Sequence, residues 1–473
     1  MKITAKYIVL TACLLWLGAC KVPAVSSKLA NKYTPASYSS SQDTVNSAHI
    51  KWKQYFGEPN LSMLIDTALK NNQELNITLQ EIEISKNEVK ARKGEYLPYV
   101  DVVGGSAIDR AGKYTWNGFS EDDLKENPEK GPKYIGDFML GTRVTWELDV
   151  WKKLRTAKKA AVLRYLSSVD GKNFMVTNII AELANSYFEL MALDNLLKIL
   201  QKNIEIQQNA LEVIKMQKEA AKVTQLAVNR FEAQLLNTKN LQFEIKQKII
   251  ETENTINFLT GKFPTPIIRN SASFTDIVTE IVNIGIPSQL LGNRPDVHQA
   301  ELELEAAKLD VKVAKANFYP SFRITSAIGL QAFNPSFLVK PQSLFYNLAG
   351  DAVAPIINRN AIKATYYNAN AKQIQAVYNY ERTILNAHLE VVNQLSKINN
   401  YDKSFETKSE EVKVLAESIN ISNSLFSAAR ADYLEVLTTQ RESLESRIDL
   451  VEIKLKQMEA KVNVYKALGG GWN

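Results

Sequence analysis

Residues capable of catalysis or metal binding do not cluster anywhere along this chain. The three histidines, His49, His298 and His388, lie in three separate segments, and no group of Cys and His residues has metal-ligand spacing. No helix follows the glycine triplet at residues 469–471, so it is not a phosphate-binding loop. Serine and aspartate residues form no recognisable nucleophile motif. We therefore predict no catalytic, cofactor-binding or metal site, and the protein is not expected to be an enzyme.

Composition and charge narrow the class of protein further. With 473 residues, 45% hydrophobic and 23% charged, the chain is neither disordered nor an all-helical membrane protein. The formal net charge of +6 is modest for this length, and no basic stripe with interleaved aromatic residues is present. Nucleic acid is therefore not an expected partner. The length allows two or three domains of ordinary size, or one elongated domain.

Cys20 is the cysteine with a clear chemical context. It ends the stretch "MKITAKYIVLTACLLWLGAC", in which two lysines precede a short apolar run, the layout of a secretory signal. The last four residues resemble a bacterial lipobox, which implies that residues 1–19 are cleaved off as a signal peptide and that the Cys20 thiol is lipidated. An ordinary signal peptide with a chance cysteine is the alternative. Because Cys13 leaves with the signal, no internal disulfide can form.

Two long tracts of the chain are predicted to be helical. Proline is absent from residues 137–262 and after Pro355, and glycine is almost absent from both tracts. Positions spaced alternately three and four apart, from 374 to 426, form a predicted coiled-coil seam, because 11 of these 16 positions are apolar. We expect long helices at about 152–220, 224–260, 360–428 and 432–467.

Between the helical tracts the hydrophobic period changes to two, which predicts strands at about 99–108, 137–148, 321–332 and 343–355. Such strands fit the wall of a transmembrane barrel, but a half-buried soluble sheet shows the same alternation. Near the strand ends, Trp146 and Trp151 suit either a membrane-interface belt or packing against helices. The residues expected to face lipid are Phe138, Leu140, Val144, Trp146, Phe322, Ile324, Ile328 and Leu330.

The chain repeats itself after about 222 positions. The stretch "NNQELNITLQEIEISKNEVKARKGEYLPYV" (71–100) matches "NRPDVHQAELELEAAKLDVKVAKANFYPSF" (293–322) in its helix start and in the proline that ends the helix. We therefore expect structural repeats at 49–270 and 271–473, preceded by an extended, lipidated tether at 20–48. Four strands cannot close a barrel or cover their edges, so in a membrane several copies must assemble, and three copies would give 12 strands.

Five stretches resemble the TolC-like outer-membrane efflux proteins, in the lipoprotein branch typified by OprM. They are "HIKWKQYFGEPNLSMLIDTALKNNQEL" (49–75), "TWELDVWKKLRTAKKAA" (145–161), "LLGNRPDVHQAELELEAAKLDVKVAKANFYPSF" (290–322), "DYLEVLTTQRESLES" (432–446) and "VNVYKALGGGWN" (462–473). The resemblance implies a mainly α-helical protein with a small β portion, in which each half supplies a helix, two strands and a long helical hairpin. It further implies a trimer with a 12-stranded outer-membrane β-barrel on top of a long periplasmic α-helical barrel.

The same resemblance implies a function and a set of partners. Such a homotrimer is a passive exit duct for drugs or other small toxic compounds in a tripartite efflux pump of a Gram-negative bacterium. Its partners would be outer-membrane lipid, a periplasmic adaptor (membrane fusion) protein and an inner-membrane transporter of the resistance-nodulation-division (RND) class. The protein would lie in the cell outer membrane, anchored by lipid at Cys20, and extend into the periplasm. No cofactor is implied.

In this family the tips of the helical hairpins dock on the adaptor, with a pattern like Tyr-x-x-Gly-x-x-Ser/Asp before a leucine. The matching stretches are "QKEAAKVTQL" (217–226) and "LFSAARADYL" (425–434), and both pattern glycines are alanine here. Alanine tolerates a left-handed turn less well than glycine, so the conformation of the tips and their fit to a standard adaptor are open. Plain turns without a partner role are the alternative. The residues expected to dock are Ala221, Lys222, Val223, Thr224, Ala429, Arg430, Ala431 and Asp432.

The family also closes its periplasmic end with acidic residues just above the second tip. The matching positions are Glu435 and Thr438, beside Phe426, and only the first of them is acidic. Three copies of Glu435 would form a ring of like charges that attracts cations, with Arg430 and Arg441 as possible counter-charges. A solvated carboxylate on a helix face is the alternative for Glu435.

Three other hypotheses stay open at the level of sequence. One is a non-conducting periplasmic lipoprotein scaffold whose coiled coils bridge other proteins. Another is the adaptor itself, although two helical hairpins and little glycine argue against it. The third is an exit duct for a type I protein secretion system. The strands distinguish the first hypothesis from a channel, because a scaffold does not need ten-residue strands with one apolar face.

Overall fold

The computed structural model describes residues 22–38, 45–110, 135–277, 283–357, 359–428 and 430–472. Within these ranges the protein is mainly α-helical with one four-stranded antiparallel sheet, which confirms the predicted class. Two predicted site residues, Cys20 and Ala429, lie outside the described residues, as does most of the polar connection between the first two strands.

Four of the helices are much longer than the others. Each of these four begins either just after a strand or at a hairpin turn. The helices Lys153–Glu219 and Asn360–Ser427 have 67 and 68 residues, so each is about 100 Å long at 1.5 Å per residue. Proline stands in the first turn of two short helices, where its missing N–H costs nothing. The bounds are α1 Trp52–Phe56, α2 Pro59–Asn71, α3 Gln73–Glu95, α4 Lys153–Glu219, α5 Gln225–Leu259, α6 Leu290–Asn293, α7 Pro295–Ala316, α8 Asn360–Ser427 and α9 Tyr433–Ala467.

The strands form one sheet in sequence order, from two hairpins that pair side by side. Their bounds are β1 Tyr99–Asp109, β2 Ile135–Leu148, β3 Ser321–Ala332 and β4 Leu344–Val353. Strand β2 pairs antiparallel with both β1 and β3, so residues from the two halves of the chain lie next to each other. Because all neighbours are antiparallel, the start of β1, the end of β2, the start of β3 and the end of β4 lie at the same end of the sheet, and the helices connect there.

The chain folds into two compact units, and each unit contains parts of both halves of the sequence. The first unit comprises Met1–Leu29, Glu83–Leu166 and Leu302–Tyr378, and it contains the sheet with the helix segments attached to it. The second unit comprises Ala30–Ile82, Ser167–Glu301 and Asn379–Asn473.

The main hydrophobic core lies in the second unit. It joins α2, α4, α5 and α9, with Ile65, Leu183 and Leu190 fully buried. Residues 179–200 of α4 are apolar around most of the helix, and a helix of that kind must be covered on several sides. Each such side chain stabilises the fold by about 1.5–3 kcal/mol relative to an exposed one.

In the first half of α8, every second buried position differs by one residue from the predicted coiled-coil seam. Val377 and Ile384 are buried as expected, but Tyr380 and Ala387 are buried in place of their neighbours Glu381 and His388. Both patterns alternate steps of three and four residues, so periodicity alone cannot separate them.

The N-terminal segment, predicted as an extended tether, contains no helix or strand at residues 22–38 and packs against helices. In the first unit Val22 and Val25 contact a cluster formed by Ala314, Phe318 and Tyr366, next to the start of β3. The segment is therefore held along its length rather than free in solution.

In the second unit the backbone N–H of Asn31 donates to Glu381 at 2.9 Å, and the ring of Tyr38 stacks on His388 with centroids 5.4 Å apart. His388 is therefore a packing residue. The desolvation of Tyr38 raises its pKa far above the ordinary value.

Both long hairpins end against the start of a shorter helix, where a side chain donates a hydrogen bond to the last carbonyl of the hairpin. At the first junction, formed by Asn72, Leu259 and Gly261, Nδ2 of Asn72 donates to the Leu259 carbonyl at 3.0 Å. At the second junction, formed by Arg294, Ala467 and Gly469, Nη1 of Arg294 donates to the Ala467 carbonyl at 3.0 Å.

Both junction glycines have positive φ, +68° and +90°, and each lies against the backbone of the residue before the junction's polar side chain. The two polar residues are 222 positions apart and the two glycines 208, so matched backbone contacts recur in the two halves.

Candidate membrane wall and hairpin tips

One face of the sheet is apolar across all four strands. Leu140 pairs with Leu330 and Trp146 with Ile324, and a direct pair of an antiparallel sheet lies on one face. The face therefore carries all the residues predicted to contact lipid: Phe138, Leu140, Val144, Trp146, Phe322, Ile324, Ile328 and Leu330. It continues onto the edge strands through Val100, Val102, Tyr346 and Leu348. Leu140 and Leu348 are 52% and 76% exposed, and the other apolar residues of this face are exposed or half-buried, so none of them is covered completely.

The opposite face of the sheet is polar and joined by side-chain hydrogen bonds. Arg143 of β2 pairs with Asp101 of β1, with Nη2 and Oδ2 2.6 Å apart, and Nε2 of Gln331 donates to Asp137 at 2.8 Å. Asp101 and Arg143 are a direct pair in the register, so both side chains lie on this face. A half-buried soluble sheet would have its apolar face covered and its polar face in water. This sheet has no completely covered residue on its apolar face, which favours the membrane-wall interpretation.

The two tryptophans near the end of β2 combine the two roles that the sequence left open. Trp146 lies on the apolar face and its Nε1–H donates to the Tyr96 carbonyl at 3.1 Å. Trp151 stacks on Tyr319 with centroids 4.9 Å apart, donates to the Pro320 carbonyl at 2.7 Å and is still 45% exposed. Both indoles thus satisfy their N–H group and keep an apolar body near the end of the sheet, as residues of a membrane interface do.

The first hairpin tip keeps the left-handed turn although alanine replaces glycine. Ala221 has φ +54°, and the N–H of Lys222 donates to the Gln217 carbonyl at 2.8 Å, which is the six-to-one bond of a Schellman motif. Thr224 caps α5 by accepting the Ala227 N–H at 3.4 Å. Val223 packs against the apolar cluster that joins α4 and α5 near the tip, whereas Ala221 and Lys222 are exposed.

The second hairpin tip uses the same type of bond. The N–H of Arg430 donates to the Leu425 carbonyl at 2.9 Å, again between residues five apart, while Ala429 lies outside the described residues. Asp432 has the extended backbone of an N-cap at the start of α9, and its side chain makes no capping hydrogen bond. Arg430 and Asp432 are exposed and Ala431 is half-buried, so charged side chains remain at the surface of this tip.

The three predicted gate residues lie close to the second tip but in different surroundings. Phe426 packs against the apolar cluster of α4 and α5 that includes Phe231 and Leu235. Glu435 and Thr438 line an open groove between α8 and α9, together with Ser418, Ile421, Ser422, Leu425, Leu434 and Thr439. Glu435 is exposed, and among the described side chains neither expected counter-charge contacts it. Arg441 lies 3.9 Å from Glu445 instead.

Two arginine networks, one around the half-buried Arg269 and one around the buried Arg294, were not predicted as sites from the sequence. Arg269 pairs with Asp194 through Nε and Nη2 at 2.7 and 2.9 Å, and its Nη1 contacts Glu253 at 2.5 Å. Burial works against ionised Asp194, but hydrogen bonds from Arg269 and Ser271 outweigh it and hold the pKa of Asp194 below its ordinary value. The second network surrounds Arg294, whose side chain binds Asp296 and Glu390.

Two kinds of feature are absent from the described part of the chain. No helix there has an apolar run long enough to cross a membrane. No group of three or more His, Cys, Asp or Glu side chains there is placed to hold a metal ion.

Comparison with known proteins places this architecture in a family. The model of the family described as "Outer membrane efflux protein" matches residues 64–262 and 286–470, so it matches once in each half of the chain. The pyoverdine export outer membrane protein OpmQ of Pseudomonas aeruginosa is 26% identical over 469 residues, covering 98% of this chain and 96% of OpmQ. The probable outer membrane lipoprotein SilC of Salmonella typhimurium is 23% identical over 451 residues, covering 95% of this chain and 93% of SilC.

A solved structure supports the fold. The MtrE outer membrane channel of Neisseria gonorrhoeae, in its open state, superposes with a TM-score of 0.82 at 20% identity. The match covers 96% of this chain and 98% of the MtrE chain.

Proposed function

We propose that this chain, which belongs to the outer membrane efflux protein family, forms a homotrimeric exit duct whose three sheets close into one 12-stranded barrel. The observation that carries the proposal is the sheet, with an apolar face that is nowhere completely covered and a polar face behind it. In a barrel wall, lipid covers the first face and water in the lumen meets the second. The long helices α4, α5, α8 and α9 would continue the duct into the periplasm.

The edges of the sheet support three copies rather than one. Strands β1 and β4 have 11 and 10 residues and stand at the two ends of the strand order, so each pairs on one side within the chain. Unpaired backbone groups inside lipid cost several kcal/mol each, so an open edge cannot persist in a membrane. Pairing β1 of one copy with β4 of the next removes both edges, and three copies give 12 strands of matched length.

The cargo and partners follow from the family rather than from the geometry. We propose that small toxic compounds such as drugs pass through the duct, driven by an inner-membrane RND transporter through a periplasmic adaptor. OpmQ is named for pyoverdine export, which is consistent with a small-molecule cargo. Export of a protein by a type I system is the competing outcome. Loss of resistance to small toxic compounds, with unchanged protein secretion, on deletion of this chain would favour efflux.

The membrane wall can be tested with two matched sets of lysines. Phe138→Lys, Leu140→Lys and Val144→Lys place charges on the apolar face, where each costs about 2–4 kcal/mol near the bilayer midplane. Met139→Lys, Thr145→Lys and Ala327→Lys place the same charges on the polar face. We expect the first set to abolish outer-membrane integration and ion conductance in planar lipid, and the second set to retain both. If the two sets of variants integrated and conducted equally well, the proposal that the apolar face is a membrane wall would be contradicted.

The hairpin tips are proposed to dock on the adaptor. Ala221 retains the left-handed turn that a glycine would adopt, so the replacement of glycine does not remove the turn at the first tip. Cysteines placed at Lys222 and Arg430 should cross-link to a co-expressed periplasmic adaptor, while a cysteine at Lys246, on the exposed side of α5, should not. Cross-linking from Lys246 alone would place the docking surface elsewhere.

Glu435 is proposed to form the charged ring of the periplasmic gate, with Thr438 and Phe426 beside it. Its exposure and the absence of a described ion pair leave the carboxylate available to passing cations. Glu435→Gln should lower the cation preference of the trimer, measured as the reversal potential in a salt gradient. Glu442→Gln, one heptad further along the exposed side of α9, is the control and should leave the reversal potential unchanged.

Lipidation at Cys20 is proposed to anchor the chain. Val22 and Val25 pack beside the end of the sheet from which the helices leave, so a lipid attached two residues before Val22 would lie near the membrane surface. The expected result is that radiolabelled palmitate labels the wild-type chain and Cys13→Ser but not Cys20→Ser. Labelling of Cys20→Ser would exclude this site.

A further inference from the structure

Positive charge is concentrated on the helix segments that meet the sheet. In the first unit these segments are residues 83–98, 149–166, 302–320 and 359–378, and all of them connect to the same end of the sheet. Together they contain 16 lysines and arginines against seven aspartates and glutamates. Their net charge of +9 exceeds the +6 of the whole chain, so the rest of the chain is net negative.

The carboxylates in these segments are already used. Asp149 accepts the backbone N–H groups of Leu154 and Arg155 at 2.9 and 3.0 Å and is almost completely buried. The other six carboxylates are each within 4.0 Å of a cation: Glu83 with Lys86, Glu88 and Glu95 with Arg92, Glu303 and Asp310 with Arg164, and Glu305 with Lys308. The positive charge that remains is therefore not balanced within these segments.

The densest part of this charge lies in the first turns of α4. Lys152, which directly precedes the helix, and Arg155, Lys158 and Lys159 form the basic surface; Lys152, Arg155 and Lys159 are exposed and Lys158 is half-buried. Arg155 is 62% exposed, with a carboxylate 3.8 Å away in Asp149, and no described carboxylate lies within 4.0 Å of the three lysines.

Asp149 meets the positive end of the α4 dipole through the backbone N–H groups of Leu154 and Arg155. The first turn itself contains no acidic residue.

Aromatic side chains separate the basic surface from the apolar face of the sheet. Trp151 precedes Lys152 directly and is fixed by its stack on Tyr319. Arg155 and Lys158 both lie over the ring of Tyr96, at 5.9 and 5.8 Å from its centroid. The protein surface therefore changes from the apolar face of the sheet to aromatic side chains and then to cations. This order matches the acyl chains, the interfacial region and the phosphate groups of a phospholipid leaflet.

We propose that the basic surface binds the phosphate groups of anionic phospholipids in the periplasm-facing leaflet of the outer membrane. The proposal rests on the proposed function, because that function places the sheet in the membrane with the helices on the periplasmic side. A basic side chain near an anionic lipid surface contributes a factor of about five in affinity. Four such side chains would give a strong preference for anionic over zwitterionic lipid.

The test compares two variants of equal charge change in delipidated protein. The first is Lys152→Gln, Arg155→Gln, Lys158→Gln and Lys159→Gln; the control is Lys202→Gln, Lys215→Gln, Lys218→Gln and Lys246→Gln, all exposed lysines of the second unit. Native mass spectrometry with equal amounts of phosphatidylglycerol and phosphatidylcholine measures the preference. We expect wild type and control to prefer phosphatidylglycerol, and the first variant to lose more than a hundredfold of that preference.

A double variant guards against a folding defect. Lys152→Gln with Lys159→Gln leaves the contacts to Tyr96 intact and should lower the preference about twenty-fivefold. The same preference in all proteins, an equal loss in the control, or no preference in wild type would overturn the proposal. Displacement of phosphatidylglycerol by an excess of inorganic phosphate would also overturn it, in favour of a free-anion site. Conductance of each protein in planar lipid reports separately on the proposed function, which fails only if wild type does not conduct.

Discussion

The two junctions where the long hairpins end have the same backbone arrangement but different side chains. At the first junction a neutral amide, Asn72, accepts the Leu75 N–H at 2.9 Å and donates to the end of α5. At the second, Arg294 donates to the end of α9 and also binds Asp296 of α7 and Glu390 of α8. The second junction therefore fastens a third helix that the first does not reach.

The difference shows which features a duplicated fold must retain. Glycine with positive φ stands at the same place in both junctions, because the backbone of another segment lies against it. The side chain that reaches the helix end is free to change, provided that it can donate a hydrogen bond to the carbonyl. An amide meets that requirement alone, whereas a buried guanidinium also requires carboxylates to balance its charge.

Arg294→Ala should produce the largest effect at either junction. The Arg294 side chain is 4% exposed and that of Asp296 is 16% exposed. Removal of the guanidinium deprives Asp296 of a partner that donates two hydrogen bonds to it. Loss of one member of a buried pair costs about 3–5 kcal/mol, and the half-exposed Glu390 places the expected loss near the lower end. Urea unfolding of the purified protein measures it. Arg382→Ala, an exposed arginine on α8, is the control and should change stability by less than about 0.5 kcal/mol. Equal losses in both variants would show that the network does not stabilise the second junction.

Alanine at the junction glycines tests the close backbone approach. A Cβ on Gly261 would lie 2.6 Å from the Asn71 carbonyl oxygen, and one on Gly469 would lie 2.7 Å from the Asn293 carbonyl carbon. Gly57 has a similar φ of +63° with nothing within 4 Å of its Cβ position, so Gly57→Ala measures the conformational cost alone, about 1 kcal/mol.

We expect Gly261→Ala and Gly469→Ala to cost about 2–3 kcal/mol, because crowding adds to that conformational cost. Thermal unfolding compares the three variants. A loss at Gly261 no larger than that at Gly57 would mean that the first junction relaxes around the added methyl group.

Asn72→Ala should cost less than Arg294→Ala, about 1–2 kcal/mol. The variant removes the N-terminal cap of α3 and the hydrogen bond to the Leu259 carbonyl, but it leaves no charge unpaired. Asn71→Ala is a matched control, because that side chain is exposed and its contact to Gly261 is made by the backbone. A cost for Asn72→Ala equal to that of Arg294→Ala would remove the contrast between the neutral and the charged junction.

Much of the fold could be predicted from the sequence because its signals are local. Absence of proline, the helical period and a period of two in the strands predicted a mainly helical protein with a small sheet. The same reasoning placed the apolar residues of β2 and β3 on one face, and the register of the sheet brings them together.

The rest depended on packing between segments distant in the sequence. Asp296 stands only two residues after Arg294, but a glutamate 94 positions further on, Glu390, completes the network around Arg294, and no local pattern contains that residue. The α8 seam was one residue off at Tyr380 and Ala387 because two registers fit the period equally well. The packing of Val22 and Tyr38 on helices carries no sequence period that could have predicted it.

The smallest expected effect concerns the turns at the other ends of the hairpins. There the left-handed position is held by Ala221 instead of glycine, and alanine in that region costs about 1–2 kcal/mol. Glycine removes this cost, but it also makes the unfolded chain more flexible, which lowers the stability by about 0.4–1 kcal/mol. Ala221→Gly should therefore raise the free energy of unfolding by roughly 0.5–1 kcal/mol.

Ala220→Gly is the control for Ala221→Gly. Ala220 is not among the described residues with positive φ, so this variant should lower stability slightly. If Ala221→Gly were also destabilising, the turn would not carry the strain that its φ indicates. The glycines at the junctions and the alanine at the first tip would then differ in residue type but not in conformational cost.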